Sequence, residues 1–186
     1  LDAIKNIAID DGRIAQISDG PLAGKKIINA KGLIVSPGFI DIHSHSFELP
    51  GQRMQAFDGV TTALELESGV FPVGKWYAMQ AEEGRVINYG TSVSWTFARI
   101  GTFVPEKKPI KATAEWYLDA FQYPEWQNKV STDVQLKETL EALEEGLKEG
   151  ALAIGVNAGY VPGVGGKELI EVSMLAARYH VPTSTH

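Results

Sequence analysis

The chain has 186 residues, 17 basic and 23 acidic for a net charge of −6, and no cysteine. That is enough for one domain with a sizeable core but short of the about 250 residues of a complete (β/α)8 barrel. The absence of cysteine excludes disulfides, thiol nucleophiles and thiolate metal ligands, and the mildly acidic balance without a basic block argues against a nucleic-acid partner. No apolar run approaches the about 18 residues of a membrane span, and Leu1-Asp2-Ala3-Ile4-Lys5 is not a signal peptide. The expectation is a soluble chain with no membrane partner, cytoplasmic by preference. Its start on Leu rather than Met leaves a cleaved leader open.

Residues 1–36 read as short β-strands between turns. Ile4, Ile7 and Ile9 lead into Asp10-Asp11-Gly12, Arg13 to Ile17 alternates apolar with polar, and residues 26–28 and 33–35 repeat the pattern between glycine-containing turns. Residues 37–45, Pro-Gly-Phe-Ile-Asp-Ile-His-Ser-His, then enter a buried strand from sharp Pro-Gly punctuation. In a strand, side chains two apart face the same way, so His43 and His45 point at one spot, and Ile40 and Ile42 face a core layer. Two imidazoles on one face are half of a zinc-type ligand set. A bare His-x-His also serves to satisfy local hydrogen bonds.

A short helix is expected over residues 53–58, ended by Gly59, and a second strand over residues 60–69. There Glu65 and Glu67 share a face with Thr61 and Ala63, opposite Leu64 and Leu66. Turning two acids into an interior is costly unless a cation sits near them. A solvated edge strand is the alternative. Glu67, nearer the strand's C-terminal end, is the candidate ligand, with Glu65 behind it orienting a ligand.

A helix over residues 76–83 and a third strand over residues 86–94 follow, with Arg99 shortly after as a candidate for a substrate carboxylate or as a solvated loop residue. Residues 101–128 read as an elaborated loop with a helix near 114–118, suited equally to a lid, a subunit contact or plain packing. Ser131-Thr132-Asp133 caps an amphipathic helix with Val134, Leu136, Leu140, Leu143 and Leu147 on its apolar stripe, stopped by Gly150. A fourth strand over residues 151–160 carries Asn157 and Tyr160, which face substrate or serve structure. A helix over residues 167–179 then leads to the closing His186, with His180 a partner for the helix dipole. Strands alternating with helices argue an α/β fold with a parallel sheet and right-handed crossovers.

The nine-residue stretch ending at His45 resembles the opening of the first barrel strand in the amidohydrolase superfamily of metal-dependent hydrolases. Residues 11–14 and 30–38 resemble the small β-sandwich ahead of that barrel, and residues 59–62, 149–155 and 159–163 resemble the N-acyl-D-amino-acid deacylase (D-aminoacylase) branch. The implied architecture is a partial β-sandwich over residues 1–36 and, over residues 37–186, a partial (β/α)8 TIM barrel of about five strands. His186 matches the third metal-binding histidine. One or two Zn2+ ions held by His43, His45, Glu67 and His186 would then serve amide hydrolysis.

The sequence departs from that branch in places. Glu67-Ser68-Gly69 stands where a cysteine ligand is common, and residues 94–99 replace a Gly-His-Gly. The fourth strand has no lysine to carbamylate, as many other branches have, which supports Glu67 as the anionic ligand. The resemblance further implies a histidine and an acid/base aspartate on later strands, so the catalytic residue is expected beyond residue 186, on the remainder of the same polypeptide. A small-molecule substrate is implied, an N-acyl-D-amino acid first. The alternatives are a cyclic amide, as in dihydroorotase or hydantoinase, and a non-catalytic scaffold of the same fold. A homo-oligomer stays open.

Overall fold

The computed structural model describes residues 3–46, 48–109 and 114–186 and divides the chain into two compact units, residues 1–37 and 38–186. In the first, β1 (Asn6–Asp10) pairs antiparallel with β2 (Arg13–Ser18) through a tight turn at Asp11 and Gly12, both with positive φ. The further strands expected at residues 26–28 and 33–35 do not form. Ile27, Ile28, Leu33, Ile34 and Val35 all stand exposed, with no neighbouring strand to take up their backbone groups among the described residues.

The second unit is a five-stranded parallel sheet in the order β3 (Phe39–Asp41), β4 (Val60–Val70), β5 (Asn88–Ser94), β6 (Ile154–Val156), β7 (Thr183–Thr185), curled into a half-barrel. Between the strands run α1 (Leu49–Phe57), α2 (Val73–Glu83), α3 (Trp95–Phe103), the short α4 (Ala114–Ala120) and α5 (Glu125–Asn128), α6 (Asp133–Lys148) and α7 (Gly166–Arg178). The core packs the sheet against α3, α6 and α7 through Val93, Trp95, Ile100, Leu143, Ile154, Val172 and Leu175. α6 starts on a capping box in which the Thr132 hydroxyl accepts the Gln135 N–H while the Gln135 side chain accepts the Thr132 N–H. Leu136, Leu143 and Leu147 are buried as the periodicity predicts, but Val134 in the first turn is exposed.

Three expectations need correction. Residues 95–103 form α3 rather than a loop. Ser94 caps it by accepting the Phe97 N–H, and residues 95–100 are all buried, so no amphipathic period marks the helix in the sequence. The fourth strand is only Ile154–Val156, after which residues 158–160 make a 3-10 turn. The first strand stops at Asp41, and Phe39, Ile40 and Ile42 are exposed rather than facing a core layer. β3 is the edge of the sheet, with β4 its single neighbour among the described residues.

Candidate metal centre at the strand ends

Four of the parallel strands deliver side chains to one place, and β4 supplies the hub. Along β4 the alternation buries Ala63, Glu65, Glu67 and Gly69 while Leu64 and Leu66 are only partly covered, so the acids and not the leucines take the inner face. The strand then departs from regular pairing. Glu65 lies opposite Thr91 of β5 and Val70 opposite Val93, so residues 66–69 arch over the single residue Ser92. The Ser92 hydroxyl donates to the Leu66 carbonyl (2.7 Å), and the Glu65 carboxylate accepts the N–H groups of Ser68 (3.1 Å) and Gly69 (3.3 Å). Gly69 has φ of 68°, and Gly155 of β6 sits where a Cβ would meet the carbonyls of Leu66 and Glu67 within 2.9 Å. This arch carries Glu67 over the sheet.

Past β3 the chain stays beside β4 irregularly, through an isolated bridge between His43 and Glu65 and a Ser44 N–H donated to Leu64 O (3.0 Å). The imidazoles of His43 and His45 nevertheless meet edge to face, with centroids 5.0 Å apart. Glu67 Oε2 is 3.6 Å from His43 Nε2 and 3.5 Å from His45 Nε2. Ligand atoms about 2.1 Å from a tetrahedral ion lie about 3.4 Å apart, so these separations fit one ion between them. Among the described residues, this is the group of three donors that lies within 4.8 Å of one another.

Glu65 holds His45 from behind, with Oε2 2.6 Å from Nδ1. A carboxylate accepts only, so Nδ1 carries the proton and the Nε2 lone pair faces the ion position. Burial pushes the Glu65 carboxyl above its ordinary pKa, an effect opposed by the His45 hydrogen bond.

His186, next after β7, approaches the other side of Glu67, with Nδ1 2.6 Å from Oε1. That is a hydrogen-bond distance, and His186 lies outside the three-donor group. Its ring stacks on Tyr160 at 5.1 Å and 20°. Asn157 is buried and donates Nδ2 to Glu67 Oε1 at 2.7 Å, so it faces the carboxylate and not an open pocket. Arg99 is placed elsewhere. It lies fully buried within α3, where its guanidinium donates to Glu168, Ser131 and the carbonyls of Trp126 and Lys129, and its cation faces the Phe103 ring. With its donors so engaged it has no fork to offer a substrate carboxylate.

Two neighbours of the site carried no readable signal. Thr96, in the first turn of α3, donates its hydroxyl to Asn157 Oδ1 (3.3 Å). Tyr117 of α4, packed on Phe97 and Phe121, keeps a buried hydroxyl without a hydrogen-bond partner among the described residues, within electrostatic reach of Tyr160 and Glu67.

The amidohydrolase family model matches residues 26–103, a segment that holds His43, His45, Glu65 and Glu67. Allantoinases of Escherichia coli O81 and Salmonella choleraesuis are 35% and 36% identical over 79 and 77 residues, 37% and 36% of this chain. These matches span 17% of either relative's length. A D-aminoacylase structure described by its binuclear metal centre superposes over 96% of this chain and 40% of its own, with a TM-score of 0.72 and 19% identity. A D-aminoacylase mutant in complex with CuCl2 gives 0.60 and 18%, over 81% of this chain and 34% of its own. No described helix is long and apolar enough to cross a membrane. Residues 26–103 thus resemble the amidohydrolase family, and the fold is the one seen in the D-aminoacylase structures.

Proposed function

We propose that this chain supplies the metal-binding part of a hydrolase that cleaves an amide C–N bond, with N-acyl-D-amino acids as the substrate class. The observation that carries the reading is the buried Glu67 carboxylate, with Oε2 shared between two imidazoles and Oε1 against a third. Zinc bound there would polarise the scissile carbonyl and lower the pKa of a bound water toward neutrality.

The chain's own residues prepare the place. Glu65 fixes the His45 tautomer, Glu67 supplies negative charge, and Tyr160 with His186 forms a flat aromatic wall beside it. Glu67 Oε2 with His43 and His45 would hold an ion, whereas Oε1 lies at hydrogen-bond distance from His186 and Asn157. Both acids at the histidines, Glu65 and Glu67, are engaged by them, so the group that protonates the leaving amine is assigned to the remainder of the polypeptide. Residues 1–36 are read as part of the sandwich that accompanies such barrels.

A cyclic amide is the second reading, favoured by the allantoinase matches over the segment that holds the proposed ligands. Elemental analysis of the full-length protein, purified without chelators and supplied with zinc, is expected to find one or two equivalents. Glu67→Gln should lower both the metal content and kcat/KM, the latter by at least about a hundredfold. Turnover of N-acetyl-D-amino acids but not of hydantoins supports the first reading and the reverse supports the second. Absence of metal from the wild-type protein overturns both.

A further inference from the structure

Glu67 is held by more than its histidines. Asn157 Nδ2 donates to Oε1 at 2.7 Å, and Asn157 Oδ1 lies 3.3 Å from the Thr96 hydroxyl. Thr96 is fully buried and Asn157 is 3% exposed, so neither presents a face to substrate. The polarity of this chain is forced. An ionised carboxylate can only accept, so the amide must turn its NH2 to Glu67 and its carbonyl to Thr96, which makes Thr96 the donor. The three residues come from the ends of adjacent strands: Glu67 from the arch of β4, Thr96 from the β5–α3 junction and Asn157 from the residue after β6. A β-branched side chain in the first turn of a helix has few rotamers, so the hydroxyl is a fixed point.

We propose that Thr96 and Asn157 are positioning residues that set the plane of the Glu67 carboxylate and so the geometry of the metal centre. Thr96 fixes the amide, the amide fixes Oε1, and Oε2 is thereby turned to the Nε2 atoms of His43 and His45. Neither residue is a ligand, and Asn157 does not bind substrate. The inference rests on the metal reading of Glu67 and adds the two residues that orient it.

The test is zinc affinity and stoichiometry by chelator competition on the full-length protein, with unfolding midpoints of the metal-free forms as a control for folding. Asn157→Ala should weaken binding by about ten- to a hundredfold, the range for groups that orient ligands. Thr96→Val, which keeps the shape and removes the donor, should weaken it in the same direction, and Thr96→Ser should restore it. Because Thr96 acts through Asn157, the double variant T96V/N157A should bind no more weakly than N157A alone. Wild-type affinity in both T96V and N157A overturns the proposal, as do independent, additive losses. A wild-type protein that binds no zinc overturns instead the metal reading beneath it.

Discussion

Glu65 shows what burial asks of a single residue. Its carboxyl is 2% exposed and its folded-state pKa is raised above 4.5 by loss of solvent, although it accepts from His45, Ser68 and Gly69. A carboxyl raised in the folded state binds its proton more tightly there than in the unfolded chain. In metal-free protein its contribution to stability is therefore full below the unfolded value of 4.5 and is lost as pH rises through the folded one. Glu65→Gln should flatten the decline of the urea midpoint as pH rises above 4.5 in chelator, and weaken zinc binding by about ten- to a hundredfold by freeing His45. An unchanged slope would show that the pH dependence arises elsewhere. The pairing of Glu65 with Glu67 was legible because it follows the two-residue period of β4, whereas His43 and His45 meet beyond the end of β3, where strand periodicity does not apply. The partners of Asn157 and Arg99 were not legible, since a polar residue near a strand end reads the same whether it faces substrate, a carboxylate or the core.

Among the elements, β4 decides the site. A regular strand would have run Glu67 along the sheet, whereas the arch at residues 66–69 lifts it toward residues that follow β3, β6 and β7. Gly155 permits this, because β6 approaches the arch too closely for a side chain. A Cβ there would lie 2.8 Å from Glu67 O and 2.9 Å from Leu66 O, backbone atoms that cannot swing away. Gly155→Ala should destabilise the fold by about 1–3 kcal/mol and lower zinc affinity by moving the arch. Gly166→Ala, at the start of α7 with nothing within 4 Å, serves as the control in the same unfolding and binding measurements. Equal stability of G155A and wild type would show that the arch gives way without cost. Gly69 was the one local sign of this irregularity, as an isolated glycine in a strand pattern often marks a bulge. The size of the arch depends on Ser92 and Gly155, which local pattern does not connect to it.

Across the whole molecule, the buried Arg99–Glu168 pair joins α3, α7 and the segment between α5 and α6. Glu168 also accepts from Trp95 Nε1 (2.8 Å) and from Ser131. A buried charge that loses its partner is strongly destabilising, more so than loss of an exposed pair such as Lys167–Asp133. Glu168→Gln should cost about 3–5 kcal/mol in urea unfolding, and Lys167→Gln far less. Comparable losses from the two would show that the buried network does not tie the helices together. The sequence by itself determined the alternation of strands and helices, the capped α6, and the shared face of Glu65 and Glu67, because periodicity and glycine or threonine punctuation are local properties. Only the tertiary structure decided that Glu67 joins those histidines to His186, that Asn157 steadies it across 90 residues of chain, and that Arg99 is a core ion pair. Contacts of that separation come from how strands are stacked and arched, and they leave no period in the sequence to read.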